Sequence, residues 1–478
     1  MNYRMIRNIL GWLLLFECGF MLVPAVTAIV YGEFSQLWSL LIAMAACGLI
    51  GGLFVLRKPK NTMLYAKDGF VIVSLSWITL SLFGCLPFVI SGTIPNFVDA
   101  LFETVSGFTT TGASILTAVE PLPKCMLMWR SFTHWVGGMG VLVFILAFIP
   151  LSGGQNMHIM KAESPGPSVS KLVPRVKTTA LILYSIYLVM TFVMFILLLC
   201  FGMNAFEALT TAFGTAGTGG FGVLNDSIGG YSPAIQIIVT VFMLLFSVNF
   251  SCYYLLLLGR IKDAFNAELR SFILIVGGAI LLITLNVRGT FDTLGEAIRH
   301  VSFSVASLIS TTGFATVDFD KWPELSRAIL VLVMFIGACA GSTGGGLKVS
   351  RLLILIRNAW NQLLGMVCPH RVKRVTMDRR PVDEDVLRTT NVYMIWYVLI
   401  FVASVILISF DNHDPVTNFT AVTATINNIG PGLGKVGPTG NYAFFSIPSK
   451  LVLIFDMLAG RLELFPVLAL FAPATWKK

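Results

Sequence analysis

Long apolar stretches separated by short polar connections dominate the chain. Ten of them approach or exceed the roughly 20 residues that a helix needs to cross about 30 Å of hydrocarbon. Their approximate limits are 8–30, 37–56, 70–91, 125–150, 178–201, 233–258, 271–288, 327–356, 391–410 and 448–472. The stretch 327–356 is too long for one span and contains a Gly/Ser/Thr-rich interruption. The pattern predicts an all-α integral membrane protein.

Composition agrees with this prediction. Of the 478 residues, 56% are hydrophobic and 12% are charged, against roughly 25% charged residues in soluble domains. Arg4 and Arg7 precede the first apolar run, but that run is too long for a signal peptide and is expected to be retained as a helix. The eight cysteines are scattered without a C-x-x-C or Cys/His metal pattern, so we expect buried apolar residues rather than a metal site.

The charged residues are distributed unequally between the two sets of connections. Of the 33 Lys and Arg residues, 24 lie in the termini and in the connections 57–67, 151–177, 259–270 and 348–388. The opposite connections hold 13 of the 24 acids. The positive-inside rule therefore predicts that the basic connections and both termini face the cytoplasm. The same distribution argues against nucleic-acid binding as the reason for the net charge of +9.

Each acidic connection contains a half-length apolar stretch followed by a Gly/Thr-rich turn. The four related segments run from Asn96 to Ser114, Asn204 to Phe221, His300 to Thr316 and Asn418 to Gly434. Aligning Gly112, Gly219, Gly313 and Gly430 gives spacings of 107, 94 and 117 residues. The spacing predicts four helix, pore-loop, helix repeats around a pseudo-fourfold pore, preceded by two extra transmembrane helices.

The chemistry of these turns suits a cation filter. Glycine accepts unusual dihedral angles, and rings of backbone carbonyls can replace the hydration shell of a potassium ion. Half-helices that enter from the outside aim their negative C-terminal ends at the pore centre. Acids in the same connections, among them Glu103, would concentrate cations at the outer mouth. Any single turn of small residues could instead serve close helix packing, so the prediction depends on the fourfold repeat.

With these segments, the chain resembles the Trk/Ktr/HKT superfamily of cation transporters, and most closely its TrkH/TrkG branch. The resemblance covers nearly the whole chain and includes the segment from Gly337 to Lys348 and the residues Gly460 to Glu463. It implies potassium-binding positions at Thr110, Thr111, Gly112, Gly217, Thr218, Gly219, Thr311, Thr312, Gly313, Asn428, Ile429 and Gly430. In the second turn both Gly217 and Gly219 offer a filter position, so its register stays open by a residue or two.

The resemblance also implies a gate beneath the filter. A Gly/Ser run in the middle of a span breaks the helix and leaves a short mobile segment. The gate residues would be Gly341, Ser342, Thr343, Gly344, Gly345, Gly346, Lys348 and Arg461. A helix-packing notch is the alternative for the segment, and a salt bridge to Glu463 or Asp456 is the alternative for Arg461.

The repeats and the resemblance together divide the chain. Residues 1–66 hold the two leading helices, and the repeats occupy 67–165, 166–265, 266–365 with the gating loop at 337–348, and 366–478. The family implies a homodimer in a bacterial inner membrane, with a cytosolic TrkA-like nucleotide-binding regulatory subunit. Such a partner, or lipid headgroups, would meet the basic segment 348–388, which includes Arg371, Lys373, Arg374, Arg379 and Arg380.

Several motifs resemble nucleotide-binding or catalytic sites, but their surroundings in the sequence do not fit those functions. Residues 217–222 satisfy G-x-G-x-x-G but follow a half-helix instead of a strand, and residues 341–348 lack the spacing of a phosphate-binding loop. His134 and His300 have no second metal ligand at helical spacing, so packing is expected for both. We expect a potassium uptake pore with no enzymatic activity and no cofactor. An ion-coupled transporter of another solute is the alternative, with Glu17 and Asp456 as candidate coupling acids.

Overall fold

The computed structural model describes residues 1–56, 59, 64–138, 140, 176–368, 374–378 and 380–476. Its α-helices are Tyr3–Phe20, Leu22–Tyr31, Phe34–Leu56, Ala66–Gly84, Leu86–Ile90, Phe97–Phe108, Lys124–Gly138, Val176–Cys200, Ala205–Gly217, Pro233–Phe246, Phe250–Leu257, Ile261–Ala264, Ala267–Val287, Leu294–Ile309, Glu324–Ile336, Val349–Val367, Glu384–Ile408, Pro415–Ile426, Ile447–Arg461, Phe465–Phe471 and Pro473–Trp476. Short 3-10 helices occupy Arg288–Thr290, Phe319–Lys321, Ser409–Asp411 and Gly434–Val436. Strands Thr376–Met377 and Arg380–Pro381 form one antiparallel hairpin.

Several helices are long and apolar enough to cross a bilayer. Within the described residues these are Tyr3–Tyr31, Phe34–Leu56, Lys67–Ile90, Thr178–Cys200, Ala267–Thr290 and Glu384–Asp411. A further pair, Pro233–Phe246 and Phe250–Leu257, passes the same test together but is bent by 90°. The prediction of a helical, multi-pass membrane protein is therefore confirmed.

Not all of the predicted spans are continuous helices. The stretch 327–356 is interrupted between Ile336 and Val349 as expected, but 233–258 also breaks after Phe246 and 448–472 breaks after Arg461. At the first of these unexpected breaks, the Ser247 hydroxyl donates a hydrogen bond to the Met243 carbonyl oxygen at 2.6 Å. The Asn249 side chain then accepts a hydrogen bond from Ser251 N and begins a new helix.

Part of the sequence prediction lies outside the described residues. This applies to the end of the predicted span 125–150, to most of the basic connection 151–177, and to Arg371, Lys373 and Arg379.

The two leading helices pack through glycine. A Cβ on Gly11 would lie 2.9 Å from the Gly51 carbonyl oxygen, and a Cβ on Gly51 would lie 2.9 Å from that of Gly11. Small residues at such a crossing let two backbones approach closely in a bilayer. Glu33, in the turn between these helices, accepts hydrogen bonds from Lys124 N and Cys125 N at 2.6 and 2.8 Å. The leading pair is thus fixed to the start of helix Lys124–Gly138.

Four short helices lie in the connections predicted to carry half-length stretches. They are Phe97–Phe108, Ala205–Gly217, Leu294–Ile309 and Pro415–Ile426, with 12, 13, 16 and 12 residues. At 1.5 Å per residue they reach about 18–24 Å, which is less than a full span. Each begins at a side-chain cap, supplied by Asn96, Asn204, Thr293 and Asp414. The Thr417 hydroxyl and backbone N–H lower the pKa of Asp414, so this cap remains ionised in moderately acidic solution.

Candidate functional site

The four short helices end in the same chain reversal. A residue one or two positions past each helix adopts a left-handed conformation, with φ of 58° at Thr110, 56° at Thr218, 58° at Thr311 and 54° at Asn428. The next backbone N–H donates to the carbonyl five residues earlier, in Thr111 to Ser106, Gly219 to Gly214, Thr312 to Ser307 and Ile429 to Ala424, at 2.8–2.9 Å. This is a Schellman ending, which usually has glycine at the left-handed position.

Three of the four left-handed residues are threonine, for which that conformation is a genuine outlier. A non-glycine residue held there costs on the order of 1–3 kcal/mol, and it persists only where the surroundings impose it. Strain of this kind clusters at functional sites. The same strain at four equivalent positions therefore marks these turns as the candidate site.

A glycine with positive φ lies two residues beyond each left-handed residue. These glycines are Gly112, Gly220, Gly313 and Gly430, with φ of 79°, 76°, 83° and 94°. The structural equivalent of Gly112 in the second turn is thus Gly220, and the alignment on Gly219 is one residue too early. Gly217 is still the last residue of its helix. Three closely spaced glycines made the register ambiguous in sequence, and only the backbone dihedral angles resolve it.

The four turns touch one another in chain order. A Cβ on Gly112 would lie 2.2 Å from the Gly219 carbonyl oxygen, one on Gly220 2.1 Å from that of Thr312, one on Gly313 2.1 Å from that of Ile429, and one on Gly430 2.7 Å from that of Thr111. The four oxygens belong to equivalent residues, each directly before its own turn's glycine. The contacts therefore close a ring, in which any added side chain would collide with a carbonyl oxygen.

A cavity lies on one side of the ring, and the ring itself contains buried polar atoms without a hydrogen-bond partner. The cavity measures about 160 Å³ and is lined by residues of all four turns, including Gly112, Gly220, Gly313 and Gly430. In the described part of the chain, Thr110 Oγ1 and Asn428 Oδ1 are buried without a hydrogen-bond partner. Buried oxygens normally have a partner. Oxygens from backbone and side chain, together with four helix C-termini, favour a cation at this ring.

The broken segment (337–348) lies against the ends of the third and fourth short helices. Gly345 N donates to Thr311 Oγ1 at 2.6 Å, and Gly346 N donates to the Asn427 carbonyl at 3.1 Å. A Cβ on Gly344 would lie 2.8 Å from the Ser310 carbonyl oxygen. The segment thus contacts the helix ends directly, and its glycines permit that approach.

The other side of the broken segment contacts the unexpected break after Phe246. Cys339 N donates to the Ser247 carbonyl, and Phe250 N donates to the Gly341 carbonyl, both at 3.1 Å. Thr343 Oγ1 donates to the Phe246 carbonyl at 3.1 Å. Ser342 Oγ and Lys348 Nζ donate to carbonyls within the segment, those of Cys339 and Gly344. The broken segment and the break after Phe246 are therefore hydrogen-bonded to each other next to the turns.

Arg461 bridges the broken segment and the first repeat. Its Nη1 donates to the Thr343 carbonyl at 2.8 Å, and its Nη2 donates to the carbonyls of Gly138 at 2.6 Å and Gly137. The two acids considered as its partners have contacts of their own. Glu463 pairs with Arg351, and Asp456 accepts a hydrogen bond from Ser404 Oγ at 2.7 Å. The guanidinium thus joins elements that surround the helix ends.

The sequence and the fold both match known transport proteins. The family model TrkH, described as a cation transport protein, matches residues 39–478. The Trk system potassium uptake protein TrkH of Escherichia coli K12 is 35% identical over 491 residues, covering all of both chains. The crystal structure of the potassium transporter TrkH from Vibrio parahaemolyticus is similar at a TM-score of 0.90 and 32% identity, again over all of both chains.

The chain belongs to the TrkH family of cation transport proteins. A further relative, the Trk system potassium uptake protein TrkG of E. coli K12, is 31% identical over 483 residues that cover 100% of this chain and 99% of the TrkG chain. The resemblance to the TrkH/TrkG branch is therefore confirmed, and a member of this family is a transporter, not an enzyme.

The sequence analysis did not identify one residue that holds the broken segment of this TrkH-family chain in place. Glu268, at the start of helix Ala267–Val287, accepts hydrogen bonds from Ala340 N at 2.7 Å and Ser350 N at 3.1 Å. One carboxylate thereby holds both ends of the segment. It is an acid within a basic connection, and nothing in its local sequence indicates partners more than 70 residues away.

Two further groups support the turns of this TrkH-family protein. His134 Nδ1 lies 2.8 Å from the Gly107 carbonyl oxygen, and its Nε2 accepts a hydrogen bond from Phe221 N at 3.2 Å. The His134 imidazole is therefore neutral, and it joins the first turn to the second. The packing role expected for His134 agrees with these contacts. Glu103 is 1% exposed and pairs with Arg130 at 2.8 Å. It therefore braces the turns, and its charge is paired with Arg130 inside the protein.

Proposed function

We propose that this protein takes up potassium through a pore lined by the ring of four turns. The observation that carries the proposal is that four strained turns present equivalent carbonyls to one another in a closed ring. Rings of backbone carbonyls can replace the hydration shell of a potassium ion. The related proteins of E. coli are named as potassium uptake proteins, which supports potassium as the cation.

The proposed potassium-binding positions follow the dihedral angles of the turns. They are Thr110, Thr111 and Gly112; Thr218, Gly219 and Gly220; Thr311, Thr312 and Gly313; and Asn428, Ile429 and Gly430. Gly217 is left out because it ends its helix. The hydrogen bond from Asn428 Nδ2 to Thr111 Oγ1, at 2.9 Å, ties the fourth turn to the first and supports a fixed ring diameter.

The broken segment is the proposed gate. Gly341, Ser342, Thr343, Gly344, Gly345, Gly346 and Lys348 lie in it, and Arg461 adds a positive charge beside it. A cation leaving the ring toward this side would meet that charge, which raises the barrier to free conduction. The contacts of the segment with the helix ends support a closed state of the gate.

The wider organisation is also a proposal. The pseudo-fourfold pore would be built from repeats at 67–165, 166–265, 266–365 and 366–478, with residues 1–66 as the leading pair. The charge distribution supports a bacterial inner-membrane orientation with both termini in the cytoplasm. Membership of a Trk system supports a homodimer that works with a TrkA-like regulatory subunit.

Ion-coupled transport of another solute has less support. Such transporters usually place coupling acids beside the substrate. Glu17, in the leading pair, approaches Gly84 of the first repeat, and Asp456 accepts a hydrogen bond from Ser404. Neither contact involves a residue of the ring, and neither acid lines the cavity beside it.

Rubidium uptake into liposomes tests the proposal. Purified protein in vesicles loaded with potassium and diluted into sodium is expected to accumulate tracer rubidium, with external potassium competing far better than sodium. Protein-free vesicles are the control. No uptake in protein-containing vesicles, or uptake equally sensitive to sodium, would contradict a potassium pore.

Replacing Glu268 by glutamine is expected to raise basal rubidium flux several-fold. Hydrogen bonds to a charged acceptor contribute about 1.5–3 kcal/mol, against about 1 kcal/mol for a neutral one. The glutamine therefore holds Ala340 and Ser350 more weakly, and the closed segment opens more often. Glu324→Gln is the matched control, because Glu324 is 88% exposed and pairs only with Arg327 in the described residues. Equal basal flux in both variants would mean that Glu268 does not hold the gate.

A further inference from the structure

A large cavity lies beside the second helix break, away from the ring. It measures about 780 Å³ and is lined by residues of helix Phe250–Leu257, of the start of helix Ala267–Val287 and of the paired strands Thr376–Met377 and Arg380–Pro381. Basic side chains at its rim are Arg260, Lys262, Arg270 and Arg380. By the proposed orientation, this face is cytoplasmic.

The charges at the rim are only partly balanced. Arg260 pairs with Asp263 at 2.7 Å, and Arg270 lies 3.7 Å from Asp378. The Asp378 carboxylate also accepts a hydrogen bond from Ala267 N at 2.7 Å, which occupies that helix N-terminus. Within the described residues, Lys262 and Arg380 have no acidic partner. Two positive charges therefore face the cavity without a counter-ion, which favours an anion.

The cavity lies just after the 90° bend between helices Pro233–Phe246 and Phe250–Leu257. Together these helices are long and apolar enough for one broken span or a re-entrant loop, and the proposed orientation puts their far end at the cytoplasmic membrane surface. The segment that follows exposes Leu257, Leu258 and Ile261 next to the basic Arg260 and Lys262. Apolar side chains alternating with Lys and Arg are typical of a segment that lies in the interface of an anionic leaflet.

We propose that this cavity binds the phosphate headgroup of an anionic phospholipid from the adjacent leaflet. Lys262 and Arg380 neutralise the phosphate, while Leu255, Phe265 and Met377 on the same walls contact the glycerol and the first acyl carbons. These apolar walls fit an amphipathic lipid better than a free phosphate ion. A lipid that diffuses in the leaflet also reaches the cavity without leaving the bilayer.

The cavity reaches the proposed gate through Asn249. Its lining includes Asn249 and Ser251. The Asn249 side chain lies 3.0 Å from the position of a Cβ on Gly341, and Phe250 N donates to the Gly341 carbonyl. A headgroup that fixes the start of helix Phe250–Leu257 thereby also fixes the broken segment. An anionic lipid is expected to lower basal flux, and this effect, unlike binding, depends on the proposed function.

Lipid binding to the full-length protein tests the site directly. Native mass spectrometry, in detergent exchanged with phosphatidylglycerol or phosphatidylcholine, measures the affinity of each lipid. One basic residue near an anionic surface contributes about a fivefold affinity change, so Lys262→Gln with Arg380→Gln should weaken phosphatidylglycerol binding about 25-fold. Phosphatidylcholine binding should be weak and unchanged.

The control is Lys321→Gln with Arg388→Gln, which also removes two exposed charges but none at the cavity. Both double variants should melt at the temperature of the parent protein, since all four side chains lie at the surface. Equal phosphatidylglycerol affinity in the two variants overturns the site. Glycerol phosphate or an acidic peptide that competes as well as the lipid overturns the assignment to a phospholipid.

Flux gives a second readout that separates this proposal from the first. In vesicles of phosphatidylcholine with increasing phosphatidylglycerol, basal rubidium flux should fall for the parent protein and stay constant for Lys262→Gln with Arg380→Gln. The same fall in both proteins would contradict the link to the gate. Absent flux at every composition, with lipid binding intact, would reject the transport proposal and leave the lipid site standing.

Discussion

Replacing Gly220 by serine is expected to reduce the preference for potassium over sodium by about tenfold or more, the largest change in selectivity that we predict. The residue has φ of 76°, and a Cβ there would lie 2.1 Å from the Thr312 carbonyl oxygen. The left-handed conformation costs a residue with a Cβ roughly 1–2 kcal/mol, and the collision pushes the neighbouring carbonyl out of position. Competition of sodium and potassium with rubidium uptake measures the effect.

The same result is expected at the three equivalent glycines, Gly112, Gly313 and Gly430, because each approaches the carbonyl of the next turn. Gly222→Ala is the matched control. It lies in the same loop, but a Cβ there would meet its nearest atoms at 3.4 Å, an ordinary contact. Unaltered selectivity in all four serine variants would refute the assignment of the ring as the filter. A loss in Gly222→Ala as large as in Gly220→Ser would show that the loop responds to any added side chain.

Replacing Arg461 by glutamine is expected to raise basal rubidium flux on the order of tenfold, which corresponds to about 1.4 kcal/mol of barrier. The substitution removes a positive charge beside the path below the ring. It also weakens the hydrogen bonds that join Thr343 to Gly138. Both changes lower the resistance to a cation, the first by electrostatics and the second by loosening the broken segment.

Arg461→Lys separates the two causes. Lysine keeps the charge but lacks the planar fork that reaches two carbonyl groups at once. If charge dominates, Arg461→Lys should conduct like the parent protein, and if the bridge dominates it should leak like Arg461→Gln. Basal flux unchanged in both variants would show that Arg461 has only a structural role.

The sequence predicted the parts of this fold that depend on local pattern. Each short helix has a capping residue such as Asn96 or Asn204, an apolar face and a turn of small residues, and all three are visible in sequence. The break between Ile336 and Val349 was also visible, because a run of glycines interrupts an apolar stretch. These features depend on residues close to one another along the chain.

The features that escaped prediction depend on distant contacts or on backbone dihedral angles. Ser247 and Asn249 break a helix inside an apolar stretch that has no glycine or proline near the break. Glu103 looked like one more acid at the mouth until its pairing with Arg130 was seen. In the second turn, Gly217, Gly219 and Gly220 are equivalent by type. Only the left-handed Thr218, two residues before Gly220, fixes which glycine faces the ring.

The most direct test of the pore is the position of the ion itself. A crystal structure of the protein in rubidium, with data collected at the rubidium absorption edge, would show bound ions by their anomalous scattering. We predict one or more peaks on the axis of the ring, coordinated by the carbonyls of Thr111, Gly219, Thr312 and Ile429 and their neighbours in the four turns. An empty ring, with rubidium bound elsewhere in the membrane region, would contradict the assignment.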